Sequence, residues 1–122
     1  MDDKLYHYRA KVTRVVDGDT IDVMFDLGMN TFVRERVRLK DIDTPEIFGM
    51  KKESEEFQRG MAAKAFVSER LLDKSVWVKT HKDKTGKYGR YLAEVFFQDD
   101  GGKHVSVGKL LLEEGLADKY GE

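Results

Sequence analysis

Three runs of alternating, β-branched residues separated by tight turns open this chain and restrict what it can fold into. Tyr8 to Val16 (Tyr-Arg-Ala-Lys-Val-Thr-Arg-Val-Val) alternates as a half-buried strand does. Asp17-Gly18-Asp19 is a tight turn, because Gly tolerates positive φ and Asp bonds its own backbone. Thr20 to Asp26 reads as a second strand. Leu27 to Thr31, with Gly28 and Asn30, turns the chain again, and Phe32 to Leu39 reads as a third strand. A period of two puts Arg34, Arg36 and Arg38 on one face of it. The three make a meander.

The pattern then changes. Asp41 to Glu46 carries Pro45, the only proline, and Phe48 to Glu53 reads as an exposed loop. From about Ser54 to Leu72 the period is helical: Ala63, Phe66, Val67, Arg70 and Leu71 fall near one face, with Arg70 out of character and Gly60 weakening the first turn. Ser75 to Thr80 predicts a fourth strand, Lys82 to Gly89 a basic loop, and Arg90 to Phe97 a fifth strand. Asp99-Asp100-Gly101-Gly102 turns the chain into a closing helix over Val105 to Leu116, with Gly115 near its end. The order is three strands, a helix, two strands, a helix. It predicts a mainly β fold with helices (α+β): a five-stranded OB-fold Greek-key barrel with a helix between strands three and four and a C-terminal helix. Split α+β sandwiches give a similar string. With 122 residues and no repeat, linker or low-complexity tract, residues 1–122 read as a single domain.

Composition narrows the class. A 40% hydrophobic and 37% charged chain is globular with a heavily charged surface. No apolar run approaches a membrane span. The N-terminus lacks the basic start and apolar stretch of a signal peptide, as expected of a cytoplasmic protein or a mature secreted form. There are no cysteines, so disulfides and thiolate metal sites are excluded. The net charge is −1, where passive nucleic-acid binders carry a basic excess. Any contact with nucleic acid therefore runs through a local basic site, which suits turnover better than tight storage.

Unusual residues concentrate in three segments. Asp17-Gly18-Asp19-Thr20 is a hairpin turn, yet Asp19 is one carboxylate more than the turn needs, at the start of a strand where it could face a metal. In Asp41-Ile42-Asp43-Thr44-Pro45-Glu46, Thr44, Pro45 and Glu46 have the form of a helix start. Ile47-Phe48-Gly49 does not continue a helix, however. Asp41, Asp43 and Glu46 also crowd together, which is costly unless something positive sits among them. Calcium takes such oxygen ligands without His or Cys. Lys87-Tyr88-Gly89-Arg90 belongs to a basic stretch whose ordinary fate is a solvated loop.

Taken together, the three segments match the needs of phosphodiester hydrolysis. That reaction needs an activated water, neutralised charge on the phosphate oxygens and help for the leaving oxygen. A cation polarises the phosphate, arginines bind its oxygens bidentately, and a carboxylate takes the water's proton. His7, His81 and His104 are scattered, so a histidine metal site is not expected.

These motifs resemble the staphylococcal nuclease (thermonuclease) family: Val16-Asp17-Gly18-Asp19-Thr20-Ile21, then Arg38-Leu39-Lys40-Asp41-Ile42-Asp43-Thr44-Pro45-Glu46, then Lys87-Tyr88-Gly89-Arg90-Tyr91-Leu92-Ala93. The likeness runs from about Lys11 to Tyr120, and Gly115-Leu116-Ala117 is similar to the family's closing helix. It implies a calcium-dependent OB-fold nuclease that cleaves DNA and RNA and leaves 3′-phosphates. By the resemblance, Asp19 and Asp43 are metal carboxylates and the Thr44 carbonyl is a further ligand. Glu46 positions or deprotonates the water, and Arg38 and Arg90 bind the phosphate. Lys87 and Tyr88 contact substrate, and Tyr120 falls close to the base-stacking tyrosines. Arg34 and Arg36 share the face of Arg38, but the spacing to Asp43 selects Arg38.

Two departures accompany the match. The Ile21 to Val37 segment is longer than in the staphylococcal enzyme, which implies an extended hairpin. The sequence also stops at Glu122, where that enzyme adds a helix, so a monomer or weak dimer is expected. Related domains that keep the barrel but lose these side chains act as binding modules, and a plain structural domain is a third reading. All five key positions (Asp19, Arg38, Asp43, Glu46 and Arg90) are intact here, which favours the enzyme.

Overall fold

The computed structural model describes residues 5–49, 51–85 and 91–119, with the backbone alone at 82–85. Strand β1 (His7–Asp17) pairs antiparallel with β2 (Thr20–Asp26), and β2 with β3 (Phe32–Leu39). Two shifts of register in β1, after Val12 and after Val15, bend the strand and let both Val15 and Val16 face inward. The β2–β3 turn carries three successive residues at positive φ, Gly28, Met29 and Asn30, and is closed by Leu27 N–H donating to Thr31 O at 2.9 Å.

Strand β5 (Ser75–Thr85) runs antiparallel to β1, and β6 (Tyr91–Gln98) antiparallel to β5. Strand β6 then pairs parallel with β3 at Val37↔Tyr91, Arg38↔Leu92 and Leu39↔Ala93. That last ladder closes the order β3-β2-β1-β5-β6 on itself, giving the expected five-stranded barrel. Helix α1 (Glu55–Leu71) lies between the third and fourth barrel strands, as expected. Ser54 caps it, its Oγ accepting from Phe57 N–H at 3.0 Å. The out-of-pattern Arg70 folds back over the Phe66 ring, 3.6 Å from its centroid, and donates to the Phe66 carbonyl.

Some boundaries differ from the sequence reading. Val105 and Ser106 belong to a short strand, β7 (His104–Ser106), that extends β6, and the closing helix α2 (Val107–Glu113) starts only after Ser106. The Ser106 hydroxyl caps that helix by accepting from Lys109 N–H, and Gly115 at φ 74° ends it. Strand β5 continues to Thr85, into the segment read as a basic loop. A two-residue ladder, β4 (Ile42–Asp43) with β8 (Asp118–Lys119), ties the acidic segment to the chain after α2.

Inward-facing Val12, Ile21, Val23, Val37, Leu39, Val76, Val78 and Val95 fill the barrel, joined by Val67 and Leu71 from α1 and Leu111 from α2. Leu71 and Leu111 are wholly buried, and truncating either to Ala would cost about 2–5 kcal/mol. No helix among the described residues is long and apolar enough to cross a membrane.

Candidate functional site

The Asp17-Gly18-Asp19 turn forms as expected, with Asp19 N–H donating to Asp17 Oδ1 at 3.1 Å. Asp19 opens β2 and is nearly buried, so its carboxylate must find partners within the protein. The Thr20 hydroxyl donates to Oδ1 at 3.0 Å and the Thr44 N–H to Oδ2 at 3.1 Å. Arg38 comes to the same place because it is the register partner of Thr20 across β2–β3. Its Nη2 lies 3.5 Å from Asp19 Oδ2 and 3.0 Å from Asp43 Oδ1. Two backbone bonds fix the end of β3 in this position: Leu39 N–H donates to Asp19 O at 2.8 Å and Lys40 N–H to Ala93 O at 2.9 Å. Asp41 follows at φ 67° and turns the chain so that Ile42 enters the core and Asp43 faces the site. Thus Asp19, Arg38, Asp43 and Thr44 meet in one corner, whereas Arg36 turns away to Asp22 at 2.8 Å.

The corner is short of positive charge. Burial, and then the hydrogen bond with and repulsion from Asp19, pushes the Asp17 carboxyl up to about 7. Burial also opposes charge on Asp19, but the bonds from Asp17, the Thr44 amide, Arg38 and Thr20 outweigh it and hold Asp19 below its usual value. Burial and the neighbouring charge of Asp19 raise Asp43, despite Arg38. Three carboxyl groups therefore gather around one guanidinium. The donors are hard oxygens, the set that suits calcium or magnesium. Among the described residues no group of three or more His, Cys, Asp or Glu is arranged to hold a metal ion. Any cation here would rest on Asp19 and Asp43 with backbone and solvent oxygens.

Two glycines set how closely the pieces approach. A Cβ on Gly18 would sit 2.7 Å from Ala63 Cβ and 2.8 Å from Thr44 Cγ2, so the turn, α1 and the Thr44 segment close on a point that only Gly fits. A Cβ on Gly60 would collide with Ile47 Cγ2 and lie 2.6 Å from the Pro45 carbonyl oxygen. The glycine that weakens α1 as a sequence lets the Pro45-Glu46-Ile47 segment lie flat on the helix. That segment is not helical, so Thr44 and Pro45 do not start a helix. Glu46 is exposed, and its N–H donates to Glu56 Oε2 at 3.0 Å. Lys87, Tyr88, Arg90 and Tyr120 lie outside the described residues. The sequence reading did not foresee Asp17 as a member of the acid cluster, nor Gly18 and Gly60 as contact points. A glycine inside an otherwise good helical run was the available signal.

The family profile for staphylococcal nuclease homologues matches residues 36–122, which holds Arg38, Asp43, Thr44 and Glu46. The chain belongs to the staphylococcal nuclease family. Its relatives include a thermonuclease of Staphylococcus intermedius, 37% identical over 87% of this chain and 56% of that protein. A micrococcal nuclease of Shigella flexneri is 32% identical over 93% of the chain and 59% of the relative. An uncharacterized protein of Methanocaldococcus jannaschii is 31% identical over 93% and 60%. This member of the staphylococcal nuclease family thus spans somewhat under two thirds of the length of these curated relatives.

Proposed function

We propose that this protein is a calcium-dependent nuclease that hydrolyses phosphodiester bonds in DNA and RNA and leaves 3′-phosphate ends. The observation that carries the reading is the convergence of Asp19, Arg38, Asp43 and Thr44 from three separate segments on one acidic, cation-poor corner. Relatives named thermonuclease and micrococcal nuclease support it.

In this reading Asp19, Asp43 and the Thr44 carbonyl hold the calcium ion, which when bound polarises the phosphate and offsets charge on its oxygens. Arg38 and Arg90 grip the phosphate and favour the charge that builds in the transition state. Glu46, anchored by its backbone against α1, orients the attacking water and accepts its proton. The water oxygen bonds to phosphorus, the bond to the 5′-oxygen breaks, and that oxygen takes a proton from solvent. Lys87 and Tyr88 contact the substrate, and Tyr120 stacks near a base.

The test is product analysis on end-labelled single-stranded DNA and RNA of one sequence. Fragments from both that need a phosphatase before 3′ extension are expected. Products with free 3′-hydroxyls would rule out this cleavage chemistry.

A further inference from the structure

Away from the acidic corner, the barrel leaves a cavity of about 220 Å³ between the start of β1, the end of β2, the start of β3 and the β5–β6 junction. Among the described residues β3 bonds to β6 only over Val37–Leu39, so the upstream positions Val33 and Glu35 line a gap. Tyr8 and Phe25 meet edge to face on one wall, their centroids 5.4 Å apart, and Tyr91 and Thr80 complete the lining. The cavity exceeds the 150 Å³ or so that accommodates a single benzene ring and falls below the ~300 Å³ of a drug-sized pocket. One flat, fused ring system suits it.

Glu35 makes the cavity more than an apolar gap. By the period of two it faces the barrel interior with Val33 and Val37, and it is half-buried. Its carboxylate has no hydrogen-bond or ion-pair partner among the described residues. An acceptor-only group between aromatic walls calls for a ligand that is flat and donates two adjacent N–H groups. Guanine offers that pair at N1 and N2. Adenine puts an acceptor at N1, uracil and thymine flank their one N–H with carbonyls, and cytosine sets an acceptor beside its amine.

The surroundings favour a polyanion as the source of the base. Arg34 and Arg36 alternate with Glu35 along β3, Glu35 precedes Arg38 by three residues, roughly 10 Å of strand, and Tyr91 follows Arg90 directly. A free cation would be repelled by these arginines, whereas a nucleotide chain would be drawn to them. We propose that this cavity is a guanine subsite for a nucleotide next to the one being cleaved, with Glu35 as its specificity-determining residue. The proposal rests on the nuclease reading for the source of the base, since it extends the same substrate.

The test needs neither metal nor turnover. Guanosine, inosine and adenosine are titrated into the full chain in chelator, with the NMR shifts of Tyr8, Thr80 and Tyr91 followed. Guanosine is expected to bind at least ten-fold more tightly than adenosine, with inosine, which lacks the N2 amine, in between. Glu35→Gln, a nearly isosteric change, should abolish the preference, and Tyr91→Ala should weaken all three nucleosides. Equal binding of guanosine and adenosine, no binding of either, or choline displacing guanosine would each overturn the proposal. A chain that selects guanosine but cleaves nothing would keep the pocket and lose the nuclease reading; cleavage without selection would do the reverse.

Discussion

Arg38 serves two carboxylates with one guanidinium nitrogen, 3.0 Å from Asp43 Oδ1 and 3.5 Å from Asp19 Oδ2. In the absence of metal it stands where positive charge is most needed, among acids that burial and mutual repulsion already strain. A bound cation would relieve Arg38 of that task and free it for a phosphate.

Removing Arg38 should therefore hurt most when metal is absent. Arg38→Ala leaves the largely buried Asp19 and its neighbours uncompensated, and in chelator it should lower stability by about 3 kcal/mol. Calcium should restore part of that loss. Thermal melts with and without calcium measure it, and an equal deficit in both would separate Arg38 from the cation site.

Gly60→Ala should run against the rule for helices. Inside an exposed helix the change gains close to ~1 kcal/mol, but here the new Cβ meets Ile47 and the Pro45 carbonyl. We expect a lower melting temperature and a fall in cleavage rate of ten-fold or more, because Glu46 rides on the displaced segment. A stabilised variant of undiminished rate would show that the segment is not held through this contact.

Asp19→Asn should abolish calcium stabilisation. For the unaltered chain, calcium at a hundred times its Kd adds about 2.7 kcal/mol. The variant should gain almost nothing and lose orders of magnitude in rate, since the group acts mainly in the transition state. Melts at matched calcium concentrations decide it; a full calcium response in the variant would remove Asp19 from the metal site.

Much of this was legible in the sequence because it depends on local chemistry. The Asp-Gly turn, the period-two runs and the Ser54 cap each specify their own structure, and the order of elements allows few topologies. The spacing between Arg38 and Asp43 picked the arginine that meets both acids over Arg36, which pairs with Asp22 across the sheet. What escaped was long-range. The β4–β8 ladder joins residues some seventy-five positions apart, and two-residue strands carry no periodicity. Ser106 could as well have sat within a helix as capped one. Gly60 reads as a flaw until Ile47 is seen against it. Asp17 reads as a turn residue until burial sets its carboxyl beside Asp19.

The role given to Glu46 makes a separate claim. If it accepts the water's proton, Glu46→Gln should lose the acid limb of the pH–rate profile as well as rate. A parallel profile at reduced rate would leave Glu46 positioning the water without taking its proton.

The central claim is that the Asp19–Asp43 corner holds a cation on which cleavage depends. It is tested most directly by following hydrolysis of denatured DNA while calcium is titrated in and then removed with a chelator. The account predicts cleavage that rises with calcium to saturation, stops in chelator and returns when calcium is restored. Turnover that continues undiminished in excess chelator would contradict it.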